Sequence, residues 1–227
     1  MSKEYSHSLL NEVRKIADDY SSGMSKVTDN LDQFANEYKT EKIAERKKSN
    51  KDKALNQLDT KIAKIRLQVK EVQDSINKKK YPLVNSNIDG EKMRGEQAMT
   101  NAMLVLQNHF FNSNSEGVLN AISQAIQSNR FDFVTTLIEQ IESSPAKDEI
   151  QNLIKEKVSE IASEYFKDRG VTLLNEELDI LNYATEVSQI ATTIVNMNKD
   201  HIYIPEYPLT DFQDEMILES LRGEVGT

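Results

Sequence analysis

The chain has no cysteine and no tryptophan, only 7 Gly, 4 Pro and 3 His in 227 residues, and no long apolar run. Without cysteine there are no disulfides, no thiol nucleophile, no Cys-ligated zinc and no iron–sulfur cluster. With so little Gly and Pro there is little turn chemistry, and strand-like alternation is almost absent, so the expected fold is all-α with few loops. No stretch approaches the roughly 20 apolar residues of a membrane span, and the polar start MSKEYSHSLL lacks the apolar core of a signal peptide. The expected setting is the cytoplasm, or a virion packaged from it. Neither GxGxxG nor a GxxxxGK phosphate loop occurs.

What is present is helical periodicity. Leu10, Val13, Ala17, Tyr20, Met24, Val27, Leu31, Phe34 and Tyr38 recur at spacings of three and four, and Leu55, Leu58, Ile62, Ile65, Val69, Val72 and Ile76 do so again. Each run puts a narrow apolar stripe on one side of a helix, a coiled-coil seam that needs a partner helix. The mixed sizes of the first run, with two Tyr, suit an irregular or antiparallel seam. The β-branched residues of the second disfavour a parallel dimer, and Leu67 faces away from it. Ser21-Ser22-Gly23 is a weak point, since Gly inside a helix costs about 1 kcal/mol against Ala.

Between the runs lies a polar stretch, 39–54, in which Ser49 and Asp52 have capping-box spacing. Two arrangements fit: an antiparallel hairpin turning near Ser49-Asn50, which is preferred, or one long helix with a phase slip. The sequence thus divides into a coiled-coil arm (1–80), a linker (81–90) marked by Pro82, Asn85, Asn87 and Gly90, a helical bundle of about five helices (91–199), and a short extended-plus-helix tail (200–227).

Several bundle elements carry start and stop signals. A helix from Glu91 to Phe111 bears Met99, Met103, Leu106 and Phe110 on one face. Ser115 is a candidate N-cap for a helix with Val118, Leu119, Ile122, Ala125 and Ile126. The next runs from Arg130 to Glu142. Ser144 with Pro145 opens another, which reaches Arg169 and stops at Gly170. Thr172 caps the last, with Ile180, Ala184, Val187, Ala191 and Ile194 in one stripe.

Charge is unevenly spread over a net −9: residues 1–38 carry −3, 39–80 carry +8 and 81–227 carry −14. Arg46, Lys47, Lys48, Lys51 and Lys53 are therefore candidate anion-binding side chains for a nucleic-acid partner. Against that stand few arginines and no aromatic residue within the stretch to stack on bases. The tail changes character: Ile202, Tyr203, Ile204 and Tyr207 belong to an extended, aromatic stretch that carries Pro205 and Pro208, and Phe212, Met216, Ile217 and Leu221 share one side of a segment opened by Thr210 and Gln213. This pattern reads as a docking peptide, either for a partner or for the chain's own bundle.

Catalytic and metal chemistry find no frame. Glu4 and His7 have the Glu-x-x-His spacing of di-iron bundles, but such a site needs a second copy and two further Glu. His109 and His201 are isolated, and Glu176-Glu177 and Asp148-Glu149 fit acids at helix starts. The expectation is a non-enzymatic structural or assembly protein, a virion or phage component in its most concrete form. It would act through protein partners in a homo-oligomer or large hetero-assembly, with no cofactor, small-molecule substrate or membrane.

Overall fold

A computed structural model of the protein describes residues 3–27, 36–197, 199 and 202. Among them are seven α-helices and no strand: α1 (Lys3–Ser25), α2 (Asn36–Lys80), α3 (Asp89–Val105), α4 (Ser115–Gln127), α5 (Phe131–Ser143), α6 (Glu149–Asp168) and α7 (Val171–Asn196). A five-residue π-helical segment, Leu106–Phe110, extends α3. The chain forms two compact units. One joins α1, α2 up to Leu67 and α7 from Ile180 onward; the other is the continuous stretch Gln68–Asp179.

In the first unit α1 and α2 are antiparallel. Lys61 meets the Glu12 carboxylate, Asn50 Nδ2 donates to Tyr20 O (2.9 Å), and Arg46 Nη1 donates to Val27 O (3.3 Å). Partner numbers fall on α2 as they rise on α1. The preferred turn at Ser49-Asn50 is therefore wrong: both residues sit inside a 45-residue helix. Lys, Glu, Arg and Ala are good helix formers, and the polarity of 39–54 marks solvent exposure, not a break. The first heptad run is likewise not one helix, because α1 ends at Ser25 and Tyr38 belongs to α2.

Leu10, Val13, Ala17, Tyr20, Met24 and Val27 are buried, as are Leu58 and Ile65 on α2 and Leu181, Ala184, Val187 and Ala191 on α7. Gly23 has a role other than weakness: a Cβ there would lie 2.6 Å from the Asn50 side chain, so Gly lets that amide reach the Tyr20 carbonyl.

In the second unit the core comprises Ala102, Leu106 and Phe110 with Val118 and Ile122 of α4, Val134, Leu137, Ile138 and Ile141 of α5, and Ile154 and Val158 of α6. Each large side chain buried this way contributes roughly 1.5–3 kcal/mol. The buried face of α3 is Gly95 and Ala102, continued by Leu106 and Phe110, whereas Met103 is exposed and Met99 only half-buried. Small residues are buried there because the 81–88 segment lies against α3: a Cβ at Gly95 would stand 2.6 Å from Val84 N. That segment lies inside the second unit, so the compact units do not divide at 81–90.

Three helix starts differ from expectation. Asn114, not Ser115, caps α4 through Gly117 N (2.9 Å), and Asp148, not Ser144 with Pro145, caps α6 through Gln151 N (2.7 Å). Each is a side chain that accepts from an amide three residues on. No cap from Thr172 precedes α7, which begins at Val171 directly after Gly170, whose φ of +66° suits Gly at a helix stop. Glu177 is accordingly buried within α7 and is not a first-turn acid.

Candidate functional site

The cationic segment of α2 is built on a continuous helix, so its side chains point in several directions. Arg46 donates to Val27 O just beyond α1, and Lys51 Nζ donates to Asn196 O (3.0 Å) at the end of α7. Two helices thus present their C-terminal carbonyls, the negative ends of their dipoles, to the basic part of α2. Lys48 and Lys53 are exposed and Lys47 is half-buried. The five cations therefore split between capping α1 and α7 and facing solvent. Close by, Lys42 pairs with Glu45 (2.6 Å), a bond that raises the lysine's pKa, and lies over the Tyr38 ring.

The seam residues divide by position. Leu58, Ile65, Val72 and Ile76 are buried, whereas Leu55, Ile62 and Val69 are half-buried. Tyr38 is exposed, Leu67 is 57% exposed, and Leu31 and Phe34 lie outside the described residues. Gln68 is buried on α2 between Ile65 and Val72; its Nε2 donates to Glu71 (2.6 Å) while its Oε1 has no partner among the described residues. Of the tail residues only Ile202 is described. It is buried, and its amide donates to Ser21 Oγ (3.0 Å). Tyr203, Ile204, Tyr207, Phe212, Met216, Ile217 and Leu221 lie outside the described residues, as does His201.

A second polar cluster, not foreseen from sequence, surrounds the end of α2. The Asp132 carboxylate has no exposed surface and accepts from Val84 N (3.0 Å) and Leu83 N (3.2 Å). Thr135 donates to Lys80 O (2.9 Å), and Arg169 Nε donates to Lys79 O (3.0 Å) while its guanidinium lies 3.9 Å from the Phe131 ring centroid. Lys80 Nζ reaches Glu139 (2.6 Å), which also accepts from the Tyr81 hydroxyl. Burial first, and the bond to Glu139 second, push the Tyr81 pKa well above its ordinary value, so the phenol remains a donor. The bonds of Asp132, Thr135 and Arg169 satisfy turn amides and helix-end carbonyls, while Lys80 and Tyr81 both bind the Glu139 carboxylate. The cluster is a clasp. No periodicity marks it; Asp132 sits unannounced between Phe131 and Phe133.

Other arrangements offer little chemistry. Glu4 and His7 line an open cleft with Ser8, Asn11, Glu12 and Lys15, and Lys61 already engages Glu12. No group of three His, Asp or Glu side chains among the described residues could hold a metal ion. A small cleft that Asp132 lines together with Leu83, Arg94, Gln97, Ala98, Asn101, Asn129 and Arg130 mixes polar and apolar groups. The Nδ1 of His109 lies 3.0 Å from Asn114 Nδ2, and the side chain sits against Gly117, in a local turn. No described helix is long and apolar enough to cross a membrane. No protein-family model matches the sequence, and no curated protein and no solved structure is significantly similar to it.

Proposed function

We propose that the chain is a non-enzymatic structural or assembly protein that works through helix-mediated protein contacts. The observation that carries this reading is an apolar stripe on the outer side of α3 and its π-helical extension. Met93 is 70% exposed, Leu104 49% and Phe111 40%. Eleven residues, three turns of helix, separate Met93 and Leu104, so these two share a face, and Phe111 follows just past the π-helical segment, whose wider turn departs from the α-helical spacing. Large apolar side chains aligned in this way favour a partner helix over water.

In this reading α1 and α2 are a coiled-coil arm closed within one chain, followed by a bundle of about five helices. The burial of Leu10, Val13, Tyr20, Leu58 and Ile65 supports it, since an arm closed in this way leaves little seam for a second copy. A place in a virion or its assembly is the concrete form, supported by the helical arm and the composition. Cytoplasmic synthesis goes with it. A nucleic-acid partner is less favoured, because Arg46 and Lys51 are directed at helix carbonyls.

The test is the absolute mass of the purified chain by light scattering, alone and as Met93→Ser/Leu104→Ser/Phe111→Ser. The expected result is a discrete oligomer for the parent and a single-chain mass for the variant, with unchanged helicity by circular dichroism. A single-chain mass for the parent at every concentration would remove self-assembly. An oligomer that survives the triple change would remove the stripe.

A further inference from the structure

We propose that the small cleft between α3 and the start of α5 is an oxyanion-binding site that takes a single carboxylate group, the free end of a peptide or of an acylated amino acid. It holds about 220 Å³, less than the roughly 300 Å³ at which pockets for drug-sized ligands begin. Arg94, Gln97 and Asn101 line it from α3, spaced three and four residues apart and so on one face of that helix. Asn129, Arg130 and Asp132 line it from the α4–α5 turn and the first turn of α5. Both arginines are held in place with donors to spare. The Arg94 Nε donates to Gly90 O (3.2 Å), which leaves both Nη groups without a partner among the described residues. Arg130 is fixed through its backbone. Its amide donates to Ala125 O (2.9 Å), the Asn129 amide donates to Ile126 O (3.1 Å), and the Arg130 carbonyl accepts from Val134 N (3.0 Å). The first two bonds close α4 as a Schellman turn around Asn129, whose φ of +54° is the left-handed conformation that turn needs. The Arg130 guanidinium lies 4.6 Å from the Phe133 ring centroid, and its N–H groups make no hydrogen bond among the described residues.

Charge and donor chemistry select the ligand. Neither arginine pairs with a carboxylate among the described residues, although residues 81–227 carry a net −14. Two cations thus share one small cleft in an acid-rich stretch, and an anion between them would relieve their repulsion. Asp132 also lines the cleft, but both of its oxygens already accept from the Leu83 and Val84 amides. Two guanidinium groups against that one carboxylate leave a single positive charge, which matches a carboxylate better than a phosphate dianion. The guanidinium fork fits the two oxygens of such a group. The side-chain amides of Gln97, Asn101 and Asn129 make no hydrogen bond among the described residues, so they can pair with the peptide group next to that carboxylate. The inference stands independently of the apolar stripe on α3.

Titration of the full chain with N-acetylglycine, followed on arginine Nε–H and backbone amide NMR signals, tests this. The Arg94 and Arg130 signals and the amides of 129–133 should move saturably. N-acetylglycinamide, which keeps the peptide group and loses the charge, should move none of them. Arg94→Gln and Arg130→Gln should each weaken N-acetylglycine binding about tenfold, the loss of one charge-assisted hydrogen bond. Lys92→Gln, which removes an exposed charge of α3 outside the cleft, should leave binding unchanged. Both arginines are exposed, so each variant should keep the parent's helicity by circular dichroism. Shifts no larger than those from the neutral amide, or an equal loss in the Lys92→Gln variant, would overturn the proposal. Tighter binding of inorganic phosphate at the same residues would also overturn it and make the cleft a phosphate site.

Discussion

Asp132 is fully enclosed, yet its two carboxylate oxygens are spent on turn amides 48 and 49 residues earlier in the chain. Truncating one partner of such a contact leaves the other unsatisfied, at about 1–3 kcal/mol per group. Asp132→Ala should therefore lower unfolding free energy by about 3 kcal/mol, and Asp132→Asn by about half, since one acceptor remains. Denaturant titration of the full chain checks this; an alanine variant as stable as the parent would mean the turn holds without the clasp. Asp148, by contrast, is an exposed cap at the start of α6. The Ser113 hydroxyl, and after it the Gln151 amide, hold the Asp148 pKa below the ordinary aspartate value. A depressed folded pKa means stability that is present above the ordinary value and lost as pH falls through the folded one. The α6 cap should hold at pH 6 and weaken below about pH 4. Asp148→Asn, which caps without charge, should flatten that part of the acid response. An identical acid profile for parent and variant would show that the cap contributes nothing to it.

At the scale of elements, two glycines of α3 separate packing from propensity. A Cβ at Gly95 meets Val84 N at 2.6 Å and Leu83 C at 3.0 Å, backbone that can move only with the whole turn, whereas nothing lies within 4 Å of a Cβ at Gly90. Gly95→Ala should destabilise by about 1–3 kcal/mol despite its better helix propensity, while Gly90→Ala should be neutral or raise stability by up to about 1 kcal/mol. Equal effects in thermal melts would contradict the close approach. The same contrast explains what was legible in the sequence. Val118, Ile122 and Ala125, or Val134, Leu137, Ile138 and Ile141, announce α4 and α5 because one amphipathic face buries them, and Gly170 announces the stop before α7. The buried face of α3 was hidden because it is small. Its Met residues looked like core, but the space is taken by backbone. The end of α1 was hidden by a heptad run that reaches across it to Tyr38, and the clasp by its reliance on pairs such as Asp132–Val84 and Arg169–Lys79, which no local spacing records.

At the scale of the molecule, connectivity differs between the two units. The second is a single continuous stretch, Gln68–Asp179, of helices that follow one another in sequence. The first combines α1 and the early part of α2 with α7 from Ile180, so its last helix arrives only after the whole second unit has been threaded. Local contacts form fast, and closing a long loop costs chain entropy before any contact rewards it, although folding of the intervening stretch shortens that loop. The order that follows is α4, α5 and α6 first, with the α1–α2 pair forming on its own local contacts. The half of α7 that buries Leu181, Ala184, Val187 and Ala191 comes last. Pulse-labelling hydrogen exchange during refolding reads this directly. Amides of α5 should be protected in an earlier phase than amides of 181–195. Deleting residues 1–27 should abolish protection over 181–195 while leaving α5 protected, because only the first unit loses its partners. Simultaneous protection of both sets, or loss of protection in α5 on that deletion, would show that the two units fold as one cooperative body.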